Sequence, residues 1–184
     1  LKETKISKGG NPAFGYGAIR SSYIAYIANF PDSTIWAFGS RALYRYNDKG
    51  DLLRGQTTRG YCRTIMVDDS IIYAGGRTGL SLYDHDFNFI SEREEFSDFK
   101  ISNILDLNDS TLIITTIGNG FLLVNKHTWS IKEYNKKNKF ISDYIHAAVM
   151  IDSSLWLGTE KGAVEVSANS LLNNNPKFQL LTKR

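Results

Sequence analysis

The segment MIDSSLWLGTEKGAVEV, residues 150–166, has an earlier counterpart in the same chain, FPDSTIWAFGSRALYRY at residues 30–46. Each sets an Asp-Ser pair before a short aromatic or β-branched run, then resumes with a second alternating run. Asp-Ser stands at Asp32-Ser33, Asp69-Ser70, Asp109-Ser110 and Asp152-Ser153, a period of ~40 residues. Two more copies therefore lie between the two that first match.

The copies align along their length. YIAYIANF, TIMV, NILDL and HAAVMI precede the pair; STIWAFG, SIIYAGG, STLIITT and SSLWLGT follow from its serine. A third run comes next, ALYRYN, GLSLYD, GFLLVN and GAVEVS, and a more variable fourth in DLLRGQT, FNFISERE, WSIKEYN and KFQLLT. Apolar residues recur with period two, the spacing of half-buried strands rather than helices. Asp and Ser suit the first turn, because their short oxygens bond nearby backbone N–H groups. Gly79, Gly120 and Gly162 open the third run, where a positive φ is expected, and Ala42 takes that place in the first copy. A short turn or helix is the one helical element expected, over Ser167–Asn173.

Four strands in each unit of ~40 residues are the signature of a β-propeller blade. The fold expected is all-β: about four blades of four antiparallel strands, a fragment or short version of a larger propeller. The blades are placed at residues 20–57, 58–97, 98–137 and 138–182, within a single propeller-like region spanning 1–184. Residues 1–19 form a lead-in that could supply a closing outer strand.

Bulk properties agree. The 184 residues are 42% hydrophobic and 22% charged, with aromatic content of 12%, so the chain has apolar surface enough for a packed domain. A net charge of +3 is too mild to indicate a nucleic-acid partner. The single cysteine, Cys62, excludes an intrachain disulfide and a cysteine-based zinc site. No apolar run reaches the ~20 residues of a membrane helix. Beginning at Leu1, the chain reads as an excised or mature segment.

LWLGTEKG at residues 155–162 resembles the core of the two-component regulator propeller repeat, and IYAGGRTGLSLYD at residues 72–84 is a second match. ISDYIHAAVMID is similar to that family's lead-in to the innermost strand. The first copy lacks the glycine, and the third has Ile113 in place of the aromatic. The resemblance implies a periplasmic sensor region of a bacterial hybrid two-component system, part of an inner-membrane protein whose membrane and histidine kinase segments are not in this sequence. It implies a non-catalytic, ligand-sensing or signal-input role, possible glycan responsiveness, and no cofactor. The alternatives are a protein-interaction or oligomerisation scaffold, and a propeller hydrolase or lyase. The candidate partners are an oligosaccharide or other small ligand and a second copy of the chain; any membrane contact would come only through segments absent here.

Trp36, Tyr73, Ile113 and Trp156 share one blade position and read as blade core, together with Gly79, Gly120 and Gly162; a sugar-stacking role for the aromatics is the alternative. The turns between second and third strands carry Arg41, Arg77, Asn119 and Lys161. The connections between blades add Arg59, Tyr61, Lys100, Asp143 and Tyr144 on the same face. Cations at equivalent positions suit an anionic ligand such as an acidic or sulfated sugar. His85, His127 and His146 fall in different blades and do not suggest a metal site. The sequence contains neither a nucleophile elbow nor a phosphate loop. The acids Asp68-Asp69 and Glu94-Glu95 are adjacent on strands and so point to opposite faces. SEREEFSDFK is expected to be a solvated acidic connection.

Overall fold

The computed structural model describes residues 24–29, 33–39 and 41–182. The proposed closing strand at 1–19 lies outside them. The described chain forms four antiparallel sheets, each ordered as its strands occur in the sequence. The first sheet comprises β1 (Ile24–Asn29), β2 (Ile35–Gly39), β3 (Ala42–Tyr46) and β4 (Leu52–Thr57). The second comprises β5 (Cys62–Val67), β6 (Ile72–Gly76), β7 (Gly79–Tyr83) and β8 (Phe89–Arg93). Next come β9 (Ile101–Asn108), β10 (Thr111–Thr116), β11 (Phe121–Asn125) and β12 (Ile131–Tyr134). The last sheet has β13 (Ile145–Ile151), β14 (Ser154–Thr159), β15 (Gly162–Ser167) and β16 (Gln179–Leu181), with α1 (Ala168–Leu172) before its final strand. This is the all-β, propeller-type architecture that the repeat predicts.

The turn chemistry differs in one detail from the reading of the Asp-Ser pair. In the second sheet the accepting oxygen belongs to the residue before that pair: Asp68 Oδ1 takes the amides of Ser70 at 3.0 Å and Ile71 at 2.8 Å. Asn108 serves the amide of Ser110 in the same way at 3.0 Å. The third-to-fourth turns are built alike, on Asn47, Asp84 and Asn125, whose side chains accept amides two to four residues ahead. Gly79, Gly120 and Gly162 have φ of 95°, 72° and 129°, whereas Ala42 needs no positive φ.

Core formation lies between sheets. Trp36, Phe38 and Leu43 of the first sheet pack with Ile65, Ile72 and Tyr83 of the second. Tyr73, Leu80 and Leu82 then meet Ile101, Ile104, Leu112 and Ile114 of the third. Ile113, Phe121 and Leu123 meet Ile145, Leu155, Leu157 and Val164 of the fourth. Alternation explains this: successive residues of the second strand point to opposite faces, so Leu112 and Ile114 look back while Ile113 looks forward. Each full ring burial is worth about 3 kcal/mol or more against truncation to alanine.

The connection SEREEFSDFK is not wholly solvated. Glu94–Phe96 forms one 3-10 turn, and Phe96 is fully buried, edge-on to Trp129 at 6.2 Å. A hydrophobic anchor inside a charged stretch is invisible to local composition.

Among the described residues, nothing covers the forward face of the fourth sheet in this way. Trp36 is 2% exposed, but Trp156 at the same blade position is only half-buried. Its cross-strand neighbour Val149 is 48% exposed and Ile151 is 51% exposed. Among the described residues, no apolar cluster joins the fourth sheet to the first.

Candidate ligand-binding face

The hairpins between second and third strands and the connections between sheets lie at the same end of every blade, because strands alternate in direction. Arg41, Arg77, Asn119 and Lys161 are exposed there. Tyr61 and Tyr144, immediately before the second and fourth innermost strands, are 43% and 47% exposed.

Backbone bonds hold these positions together. The Arg77 amide donates to the carbonyl of Tyr61 at 3.3 Å. The amides of Gly118 and Gly120 both donate to the Asp143 carbonyl at 2.8 Å, Ile117 donates to Lys100 at 2.9 Å, and Ile117 bridges Tyr144. The hairpin of the third sheet is thereby fastened to the entrance of the fourth. Across the first seam, the Arg41 guanidinium lies 5.5 Å from the Tyr61 ring centroid, a cation–π contact.

Charge on this face is unevenly compensated. Arg41, Arg77, Lys100 and Lys161 form no ion pair among the described residues. Two of its acids, Asp143 and Glu160, are already engaged. Asp143 Oδ1 accepts the Lys136 amide at 2.8 Å. Glu160 accepts from Ser142 and lies 3.6 Å from Lys136. Burial opposes ionisation of Glu160, but the Ser142 hydroxyl and Lys136 outweigh it and hold the carboxyl below its ordinary range.

Some predicted residues stand apart from this arrangement. Arg59 stacks on Phe89 at 3.9 Å, and its amide donates to the Tyr83 hydroxyl at 3.2 Å, so it braces the second sheet. Trp36, Tyr73 and Ile113 are buried between sheets. The histidines are dispersed. His85 Nε2 lies 2.8 Å from the Asp68 carbonyl at the opposite end of the blades, His127 is exposed in a turn there, and His146 is exposed on β13. Among the described residues, no group of three or more His, Cys, Asp or Glu side chains converges as a metal site. Burial pushes the Cys62 thiol up to about 12, which makes it a poor nucleophile. No helix among the described residues is long and apolar enough to cross a membrane.

The repeat also placed residues that hairpin logic missed. Every innermost strand slips register by one residue close to this face: between Ile24 and Tyr26, Cys62 and Thr64, Ile101 and Asn103, and Ile145 and Ala147. The extra residues are Ala25, Arg63, Ser102 and His146. Arg63 is exposed between buried Cys62 and buried Thr64. A Tyr-x-Arg and Tyr-x-His spacing in the second and fourth copies was the available signal.

No family model matches the sequence, and no curated protein does either. Solved structures do match the fold. The extracellular domain of the hybrid two-component system BT4673 from B. thetaiotaomicron superposes with TM-score 0.73 at 15% identity, over 91% of this chain and 22% of that one. That of BT3049 from the same organism gives 0.64 at 17% identity, over 88% of this chain and 25% of that one. The Neurospora crassa Pan2 WD40 domain gives 0.65 at 12% identity, over 84% of this chain and 50% of that one. The chain spans about a quarter or less of the two bacterial extracellular domains, and its four sheets have the propeller-type fold that these structures share.

Proposed function

We propose that this chain is a non-catalytic signal-input region of an extracytoplasmic receptor, which binds a soluble ligand on the hairpin-bearing face of its blades. The observation that carries the reading is the pairing of exposed Tyr61 and Tyr144 with cations that lack ion-pair partners on one rigidly tied face. The fold shared with the extracellular domains of two hybrid two-component systems supports the assignment to signal input and to the periplasm. Exposed tyrosine rings suit sugar rings, and unpaired cations suit acidic or sulfated groups, so an oligosaccharide is the ligand class preferred. Binding would act by favouring one packing of the blades over another.

Thermal unfolding of the chain with a panel of neutral and charged oligosaccharides tests this. A raised midpoint with at least one sugar is expected, abolished in the Arg41→Gln/Arg77→Gln/Lys161→Gln variant, and with the bound sugar recovered intact. Stabilisation that survives the triple substitution, or turnover of the sugar, would overturn the reading.

A second reading, a scaffold that associates through blade faces, is favoured by one observation: among the described residues, Val149 and Ile151 are exposed beside half-buried Trp156.

A further inference from the structure

An open recess of about 210 Å³ lies between the third sheet and the α1 segment of the fourth, at the opposite end of the blades from the hairpin-bearing face. Strand register puts it there. Thr111 opposes Asn125 and Leu123 opposes Lys132, and residues two apart on a strand share a face, so all four look toward the fourth blade. Ile113 and Phe121 on that face are sealed against β13–β15. At its lower end the opposing wall is Leu171 of α1 and Asn174 after it, and the two sides stand apart. Leu123 and Leu171 are both buried and supply the apolar part of the wall. Lys132 crosses the gap: its ammonium donates to Asn174 Oδ1 and lies 5.2 Å from the Tyr134 ring centroid.

The polar groups of the recess are donors with capacity left. Asn125 Oδ1 accepts the amides of His127 at 2.9 Å and Thr128 at 2.8 Å, which leaves its amide nitrogen for a ligand. Asn174 Oδ1 accepts from Lys132, which leaves its amide nitrogen likewise. Lys132 forms no ion pair among the described residues, and no acidic side chain lines the recess. An ammonium and two amide donors beside apolar wall, with no carboxylate, suit an anion that carries an apolar body and disfavour an amine. We infer that the recess is a separate ligand site for a short-chain aliphatic carboxylate, its carboxylate on Lys132, Asn125 and Asn174 and its tail along Leu123 and Leu171. The volume is below the ~300 Å³ at which pockets for drug-sized ligands begin, so the occupant is short. No aromatic ring lines the recess, so a sugar has no stacking surface here. Because the walls belong to two blades, an occupant joins them and favours the closed seam. The inference is independent of the ligand-face reading above.

The test is an NMR titration of the chain with hexanoate, following the side-chain amide signals of Asn125 and Asn174. Both should shift and saturate, with a Kd of about a millimolar. Hexan-1-ol, hexylamine and acetate should each bind about tenfold more weakly or worse, lacking the charge, its sign or the tail. Lys132→Met keeps an apolar stem and should weaken hexanoate about tenfold, whereas Lys132→Arg should retain most of the binding. Asn174→Gly suits the backbone at φ 58° and should cost about threefold. Lys132 and Asn174 are exposed, and unchanged circular dichroism would show that these variants fold. Hexanoate that shifts neither amide, or that binds Lys132→Met equally well, overturns the site. Hexan-1-ol or acetate binding as tightly as hexanoate overturns the ligand class. The Arg41→Gln/Arg77→Gln/Lys161→Gln variant should bind hexanoate unchanged, and loss there would overturn the placement at this seam.

Discussion

The Ser102 hydroxyl donates to the Ile145 carbonyl at 2.7 Å, tying the bulge of the third innermost strand to the first residue of the fourth. Both residues are buried, so water cannot replace the bond. Ser102→Ala leaves the carbonyl without this partner and should destabilise the chain by about 1–2 kcal/mol. Urea unfolding followed by tryptophan fluorescence measures this, and a loss below a few tenths of a kcal/mol would mean the seam does not depend on the bond.

Gly79 opens β7 at φ 95°, and a Cβ there would lie 2.6 Å from the Phe96 carbonyl oxygen. Gly79→Ala therefore combines an unfavourable backbone conformation with a clash against backbone, for a cost of about 2–3 kcal/mol. The comparison is Ala42→Gly at the equivalent first-sheet position, with no positive φ to relieve, which should cost about 1 kcal/mol. Equal losses in paired denaturation curves would contradict the turn assignment.

Asp68 gathers a network at the opposite end of the blades. Burial alone raises its carboxyl, but the amides of Ser70 and Ile71, the Tyr73 hydroxyl at 2.9 Å and Lys126 together draw it below the ordinary range. Lys126 also pairs with Asp106 at 3.1 Å, so the second and third sheets share the charge. A folded-state value below the unfolded one contributes stability above about pH 4, lost as the pH falls through the lowered value. Asp84 and Glu160 are shifted the same way and add to the acid slope. Asp68→Asn should lower the melting temperature at pH 7 and make its decline below pH 4 shallower. An unchanged acid slope would remove Asp68 from the account.

The second reading, a scaffold that associates through blade faces, makes its own prediction for Val149, Ile151 and Trp156, which are uncovered among the described residues. Light scattering should show mass rising with concentration, and Val149→Lys with Trp156→Lys should return the chain to monomer. A monomer at all concentrations would reject self-association.

Local chemistry accounts for what could be read early. Strand period, asparagine and aspartate turns and the glycines of the third strands each depend on a few neighbouring residues, and the ~40-residue repeat multiplies that signal fourfold. The cations at hairpin tips were legible for the same reason. Arg63 and Ser102 were not, because a bulge is a mismatch between two strands and exists only once their register is known. Phe96 was hidden by the acids around it, as its burial comes from a cluster that includes Leu80 and Ile101 and from Trp129 in the turn before β12.

Trp36 and Trp156 divide the two kinds of information. The sequence by itself determined that both stand at the same point of the same strand in a repeated four-stranded unit. Only the tertiary structure decided that Trp36 is sealed between sheets while Trp156 stays half-open, because burial belongs to the neighbour that covers a face and not to the residue that presents it.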